Sequence, residues 1–254
     1  MRLFVLSALA VFATSGVAGA QTTLPYDHVH LAVPDQAKAV EWYRTMLGGQ
    51  VSAEGKDRVT FGKTRFIFLK SEHAGPSANT AIDHIGFSFA DLDAKMKEFQ
   101  AAGVKIVTPV RDVPGLFKLG FIEDPWGVKI EVVQDPETLG FHHVHLRALD
   151  PAASLAWYKA RFGGESAKLK GRIDALKYGD VWVLVQKADT APIASAGHAI
   201  DHIGWRVANL DKTLADLKGI KVLQPRTDLQ LATGMVHYSF VEDPSGTKIE
   251  LVQR

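Results

Sequence analysis

Cysteine is absent from the 254-residue chain. This excludes disulfides, thiolate metal ligands and cysteine nucleophiles, so any metal must be held by His, Asp or Glu. Excess charge of one sign is missing as well. The chain has 29 Lys and Arg against 28 Asp and Glu, a balance that points to neither nucleic acid nor an anionic surface as partner. A long apolar run is also lacking. The nearest to one is the N-terminus, MRLFVLSALAVFATSGVAGA, with one Arg, an apolar stretch from Leu3 to about Ala13, and small residues ending at Ala18-Gly19-Ala20. That stretch is too short to span a bilayer comfortably and has the layout of a secretory signal peptide. No twin arginine and no lipid-bearing cysteine accompany it. The expectation is that residues 1–20 are removed and that the mature protein, from Gln21, is periplasmic or secreted and not membrane-bound.

What is present is a duplication. YDHVHLAVPDQAKAVEWYRTMLGG (26–49) aligns with FHHVHLRALDPAASLAWYKARFGG (141–164), an offset of 115 residues. AIDHIGFSFADLD (81–93) aligns with AIDHIGWRVANLD (199–211), and EDPWGVKIEVVQ (123–134) with EDPSGTKIELVQ (242–253), at offsets of 118 and 119. The drift is small enough for one tandem repeat with short indels. Two domains follow, 21–134 and 141–254, joined by a linker at 135–140.

Each repeat carries helix and strand signals in a fixed order. Asp35 stands at a helix N-cap position, Val40, Tyr43 and Leu47 recur at helical spacing, and Gly48-Gly49 ends the segment. Asp91 precedes a second helix with Leu92, Met96 and Phe99 on one face and Gly103 beyond it. In the second repeat Pro151 suits a first helical position, and Leu210, Leu214 and Leu217 mark the later helix. Short strand-like runs lie between: RVTFG, RFIFLK, VKIV, KLGFIE and KIEVVQ, with counterparts in the second half. EDPWG and EDPSG read as tight turns. The order is strand, helix, three strands, twice per repeat. The fold class is therefore α+β, built from four βαβββ modules.

On HVHL, WY…LGG, DHIGF and EDPWGVKIEVV with their second-half equivalents, the chain resembles the vicinal oxygen chelate superfamily over nearly all of its mature length. That family includes glyoxalase I, fosfomycin-resistance transferases, bleomycin-resistance proteins, methylmalonyl-CoA epimerase and extradiol ring-cleaving dioxygenases. The resemblance implies paired modules curled into cups that hold a divalent metal and bind vicinal oxygens of a small organic substrate.

Three positions per repeat place a metal-capable side chain in an apolar strand: His28, His84 and Glu131, then His143, His202 and Glu250. Two imidazoles and a carboxylate with open positions form the facial set of non-heme Fe(II) enzymes. The same set holds Mn(II), favoured alongside Fe(II), and Zn(II) or Ni(II) as alternatives. The resemblance places these six residues where family ligands lie. Where glyoxalase I adds a further Glu, this chain has Phe68 in RFIFLK and an apolar residue in VWVLV. Where ring-cleaving enzymes carry a Tyr before the EDP turn, it has Phe121 and Phe240.

Of the ten histidines, six fall at repeat-equivalent positions, the third pair being His30 and His145. By strand parity these two share the ligand face, two residues along. They are catalytic candidates that would orient substrate, act as general base or support a ligand; a structural contact at the rim is the competing account. Lys129 and Lys248 read as solvated strand ends, Trp42-Tyr43 and Trp157-Tyr158 as core, and His237, opposite Lys118, as a difference between the halves. Two pairings stay open. Cups within a domain combine His28, His84 and Glu131, and His143, His202 and Glu250. Cups across domains combine His28 with His202 and Glu250, and His143 with His84 and Glu131. Two enzyme readings follow, a dioxygenase-type oxidoreductase and a lyase or isomerase, beside a non-catalytic sequestering module. A duplicated chain supplies internally the pairing that single-repeat relatives obtain by dimerising, so monomer and homodimer both remain open.

Overall fold

The computed structural model describes residues 22–231 and 233–254, so residues 1–20, expected above to be a signal peptide, lie outside the described residues. The βαβββ order recurs four times. The first module is β1 (Tyr26–Val33), α1 (Gln36–Leu47), β2 (Gln50–Val51), β3 (Arg58–Phe61) and β4 (Thr64–Lys70). The second is β5 (Ile82–Ser88), α2 (Leu92–Ala101), β6 (Lys105–Asp112), β7 (Lys118–Glu123) and β8 (Lys129–Val133). The third is β9 (Gly140–Ala148), α3 (Pro151–Phe162), β10 (Glu165–Leu169), β11 (Ile173–Tyr178) and β12 (Val181–Lys187). The fourth is β13 (Ile200–Arg206), α4 (Leu210–Asp216), β14 (Lys221–Leu231), β15 (Gly234–Glu242) and β16 (Lys248–Gln253).

The helices start where short polar side chains satisfy free backbone N–H groups. Asp35 accepts from the Lys38 amide, Asp91 from Ala94, Asp150 from Ala153 and Asn209 from Lys212. Gly48 ends α1 in the left-handed region at φ 80°, which costs glycine little. Tyr43 is buried in the core as its spacing predicts, while Trp42 is only partly buried. The buried hydroxyl of Tyr43 donates to Asp124 of the EDPWG turn at 2.9 Å, and Tyr158 does the same to Asp243 of EDPSG. Each turn is thereby fastened to the first helix of its own domain.

The strands form two eight-stranded sheets, ordered β14-β15-β16-β13-β1-β4-β3-β2 and β10-β11-β12-β9-β5-β8-β7-β6. The first module thus shares a sheet with the fourth, and the second with the third. Each sheet has an antiparallel seam between domains, β1 with β13 and β5 with β9. Of the two pairings open to the sequence, the structure has the one across domains. One face of the seam strands is apolar, with Val29, Leu31, Val144 and Leu146 in a core continuous through both halves. The histidines of HVHL occupy the other face.

Candidate metal centres

Strand register sets the two sites. Across the first seam His28 lies opposite Gly204, and Gly204 lies beside Glu250 of β16; His30 lies opposite His202. Across the second, His143 lies opposite Gly86, Gly86 beside Glu131, and His145 opposite His84. The two glycines are spatial requirements. A Cβ on Gly204 would stand 2.1 Å from the His28 ring, and one on Gly86 2.0 Å from the His143 ring. The glycine of DHIGF and DHIGW leaves the gap that each imidazole fills.

Four bulges shape the surroundings. Tyr26 pairs with Trp205 and His28 with Gly204, so β1 spends two residues on one step of β13 and Asp27 is the extra one. By the same count Asp201 is extra in β13, Asp83 in β5 and His142 in β9. A bulge re-aims a side chain that strict alternation would send to the opposite face. Asp27 lies 2.8 Å from His28 Nδ1, Asp83 2.6 Å from His84 Nδ1, and Asp201 2.5 Å from His202 Nδ1. His142 takes this place beside His143, Nδ1 to Nδ1 at 2.8 Å, with its own Nε2 3.3 Å from Asp135. Sequence reasoning passed over these four residues, although the Asp before His in DHVHL and in both DHIG motifs was the visible signal.

Fixing Nδ1 as donor leaves Nε2 of each ligand histidine as a lone pair. Those lone pairs meet a carboxylate. Glu250 Oε2 lies 3.1 Å from both His28 Nε2 and His202 Nε2, and Glu131 Oε2 lies 3.1 Å from both His84 Nε2 and His143 Nε2. His28 Nε2 and His143 Nε2 are buried and make no hydrogen bond, so these approaches lack hydrogen-bond geometry. His84 Nε2 and His202 Nε2 do bond the same oxygens, so in each cluster one buried nitrogen is left facing a carboxylate with no partner, a place that a cation would fill. Ligands about 2.1 Å from one ion, at octahedral to tetrahedral angles, stand roughly 2.9 to 3.4 Å apart, which brackets the observed spacing. The residues present therefore fit a divalent metal. His28, His30, His202 and Glu250 each offer an atom within 4.8 Å of the others, as do His84, Glu131, His143 and His145. All six sequence-predicted ligands thus gather into two sets, and both catalytic candidates lie within them.

Without an ion, imidazoles and carboxylates in the clusters hold one another as charges. Burial alone would raise the Glu250 and Glu131 carboxyls, but the paired histidines hold both well below the usual carboxylate range. Burial likewise opposes a charge on Asp27. The hydrogen bond from His28 and the charges of His28, Arg254 and Arg65 keep it ionised. Burial would lower His28 and His84, yet their carboxylate neighbours raise both. At His143 burial prevails and the shift is downward.

Lys129 and Lys248 are not the solvated strand ends their position suggests. Their ammonium groups lie 2.6 Å from Asp83 and 2.7 Å from Asp201, because the bulges bring those carboxylates within reach. His237 lies outside both clusters, paired with Asp228 at 2.7 Å. Phe68 pairs with Leu31 and faces the core, because the parallel register of β1 and β4 puts Arg65 and Ile67 on the cup face instead. The matching residues of β12 are Trp182 and Leu184. No carboxylate stands at any of these four positions.

Residues 26–132 and 140–251 each match the family model for the Glyoxalase/Bleomycin resistance protein/Dioxygenase superfamily. The chain belongs to this superfamily. Within it, the chain is similar to lactoylglutathione lyase of Pseudomonas aeruginosa, 24% identical over 145 residues covering 43% of this chain and 81% of that one. Among solved structures, glyoxalase I from Zea mays superposes with a TM-score of 0.72 at 18% identity, covering 91% of this chain and 92% of the other. A candidate dioxygenase from Bacillus subtilis gives 0.60 at 15% identity, covering 92% and 86%. At these identities the structural likeness to superfamily members establishes the shared fold.

Proposed function

We propose that the protein is an exported, divalent-metal-dependent enzyme that chelates vicinal oxygens of a small organic substrate. Its two 2-His-1-Glu centres are His28, His202 and Glu250, and His84, His143 and Glu131. The observation that carries this reading is the convergence of two imidazole Nε2 atoms on each glutamate oxygen at 3.1 Å, with the buried Nε2 of His28 and of His143 left without a hydrogen bond. Fe(II) and Mn(II) suit imidazole and carboxylate donors with open positions, with Zn(II) and Ni(II) next. Such an ion, when bound, supplies Lewis acidity that lowers the energy of an anion forming on the substrate oxygens. The chain's own part is to hold each imidazole in the tautomer that presents Nε2, through Asp27, Asp83, Asp201 and His142. Phe121 and Phe240 pack edge-on against His84 and His202, at 5.3 and 4.8 Å between ring centroids.

Export rests on the signal-like residues 1–20, and it counts against a glutathione-dependent reaction of the kind the Pseudomonas relative's name describes. A second reading, ring-cleaving dioxygenase, is favoured by the histidine and glutamate set and the tandem domains. It lacks the phenolic hydroxyl where Phe121 and Phe240 stand. A sequestering module would have no use for six matched ligands. Metal analysis of protein purified from its native compartment tests the reading: bound divalent metal is expected. Absence of metal, with no uptake of added Fe(II), Mn(II) or Zn(II), overturns it. Anaerobic loading with Fe(II), followed by oxygen uptake with catechols, separates dioxygenase from lyase or isomerase.

A further inference from the structure

His30 and His145 stand in the clusters with no other evident task. Both ring nitrogens of His30 are buried and make no hydrogen bond, and its ring centroid lies 4.6 Å from that of His28 and 4.2 Å from that of His202. Leaving a buried imidazole wholly unpartnered is costly, so a missing partner belongs beside it. His145 presents Nδ1 3.0 Å from His84 Nε2, the atom already committed toward Glu131. No carboxylate reaches the clusters from β4 or β12, where Ile67 and Leu184 lie opposite His30 and His145. We infer that His30 and His145 are each a fourth protein ligand, so that each metal is held by three imidazoles and one carboxylate. The inference rests on the metal reading above and sharpens it. Both histidines of HVHL bind one ion, and the strand in which they sit becomes a two-ligand element.

The count of ligands limits the chemistry. An octahedral ion with three protein ligands keeps three positions, enough for two substrate oxygens and a further small molecule. With four it keeps two, which a vicinal pair of oxygens fills. Dioxygen would then have no position on the same ion, so the set favours a redox-neutral lyase or isomerase reaction beside a chelated oxygen pair, and any oxygen chemistry would have to take place on the substrate itself.

The test is X-ray absorption of the full chain loaded with Zn(II), which counts imidazoles per ion. Three are expected in the native protein and two in the double variant His30→Gln/His145→Gln, with affinity reduced by more than the roughly 10- to 100-fold typical of losing an outer-shell partner. Two imidazoles in the native protein, or an unchanged count in the variant, overturns the inference while leaving the 2-His-1-Glu reading intact. A native protein that takes up no metal overturns both. The native count needs no variant, so misfolding of the double variant cannot protect the proposal.

Discussion

The centre between the first and fourth modules and the one between the second and third hold the same side chains with the same 3.1 Å approaches to their glutamates, yet their surroundings differ. At the first, aspartates flank both ligand histidines, and Asp27 gathers Arg65, Arg206 and Arg254 within 3.1 Å. At the second, one of the two aspartates is replaced by His142, which burial and the neighbouring His143 push down to about 4. A neutral imidazole supports His143 less strongly than a carboxylate supports His28. The walls diverge in parallel. Beside the ligand strand the first cup has Arg58, Arg65 and Ile67, whereas the second has Ala175, Trp182 and Leu184 at the matching register. Trp182 and Leu184 form a separate apolar cluster with Leu169, Ala175 and Phe117. The His and Glu set is therefore shared by the two clusters, while its electrostatic support and the lining beside it belong to each alone.

Glu250→Gln and Glu131→Gln break the comparison most severely. Each is expected to abolish tight binding at its own centre, lowering affinity there more than 100-fold, beyond the usual outer-shell loss. Metal content should fall from two ions to one per chain in either variant. A smaller change comes from the outer shell. Asp27→Asn is expected to weaken the first centre about 10- to 100-fold, and His142→Asp to strengthen the second toward it. Calorimetric titration should show two affinities in the native protein and a narrower gap in His142→Asp. An unchanged gap would show that His142 does not set it.

Gly204→Ala and Gly86→Ala probe where the centres agree. Each methyl collides with a ligand imidazole, so each variant should lose about 1 to 3 kcal/mol of stability, and by similar amounts. Thermal unfolding of the metal-free proteins measures this. A further effect lies outside the sites. Burial raises Asp124 from 3.8 to about 6, and Asp243 shifts the same way. A carboxyl with a raised folded pKa favours the folded state below its unfolded value, and that contribution is lost as pH rises through about 6. Asp124→Asn is neutral throughout. Relative to native protein it should gain stability between pH 4 and pH 6, and denaturant titrations across that range would show it.

The module order, helix caps and six ligand candidates were legible in the sequence because each rests on local spacing or on the repeat. The pairing across domains was not, since either arrangement uses the same six residues and only strand neighbours distinguish them. The roles of Asp27, Asp83, Asp201 and His142 were hidden by strict strand alternation, which sends them away from the histidines they support. Four bulges reverse that. Lys129 and Lys248 read as solvated strand ends because strict alternation gives no hint of the bulges that bring Asp83 and Asp201 to them. The glycines of DHIGF and DHIGW were in plain view, but their purpose needs the register that puts Gly86 opposite His143 and Gly204 opposite His28.

The most direct measurement is anomalous diffraction from crystals of the full chain grown with Mn(II) or Zn(II). Two peaks per chain are predicted, one between His28, His202 and Glu250 and the other between His84, His143 and Glu131. No peak at either place, or a peak shared by His28, His84 and Glu131, would contradict the account.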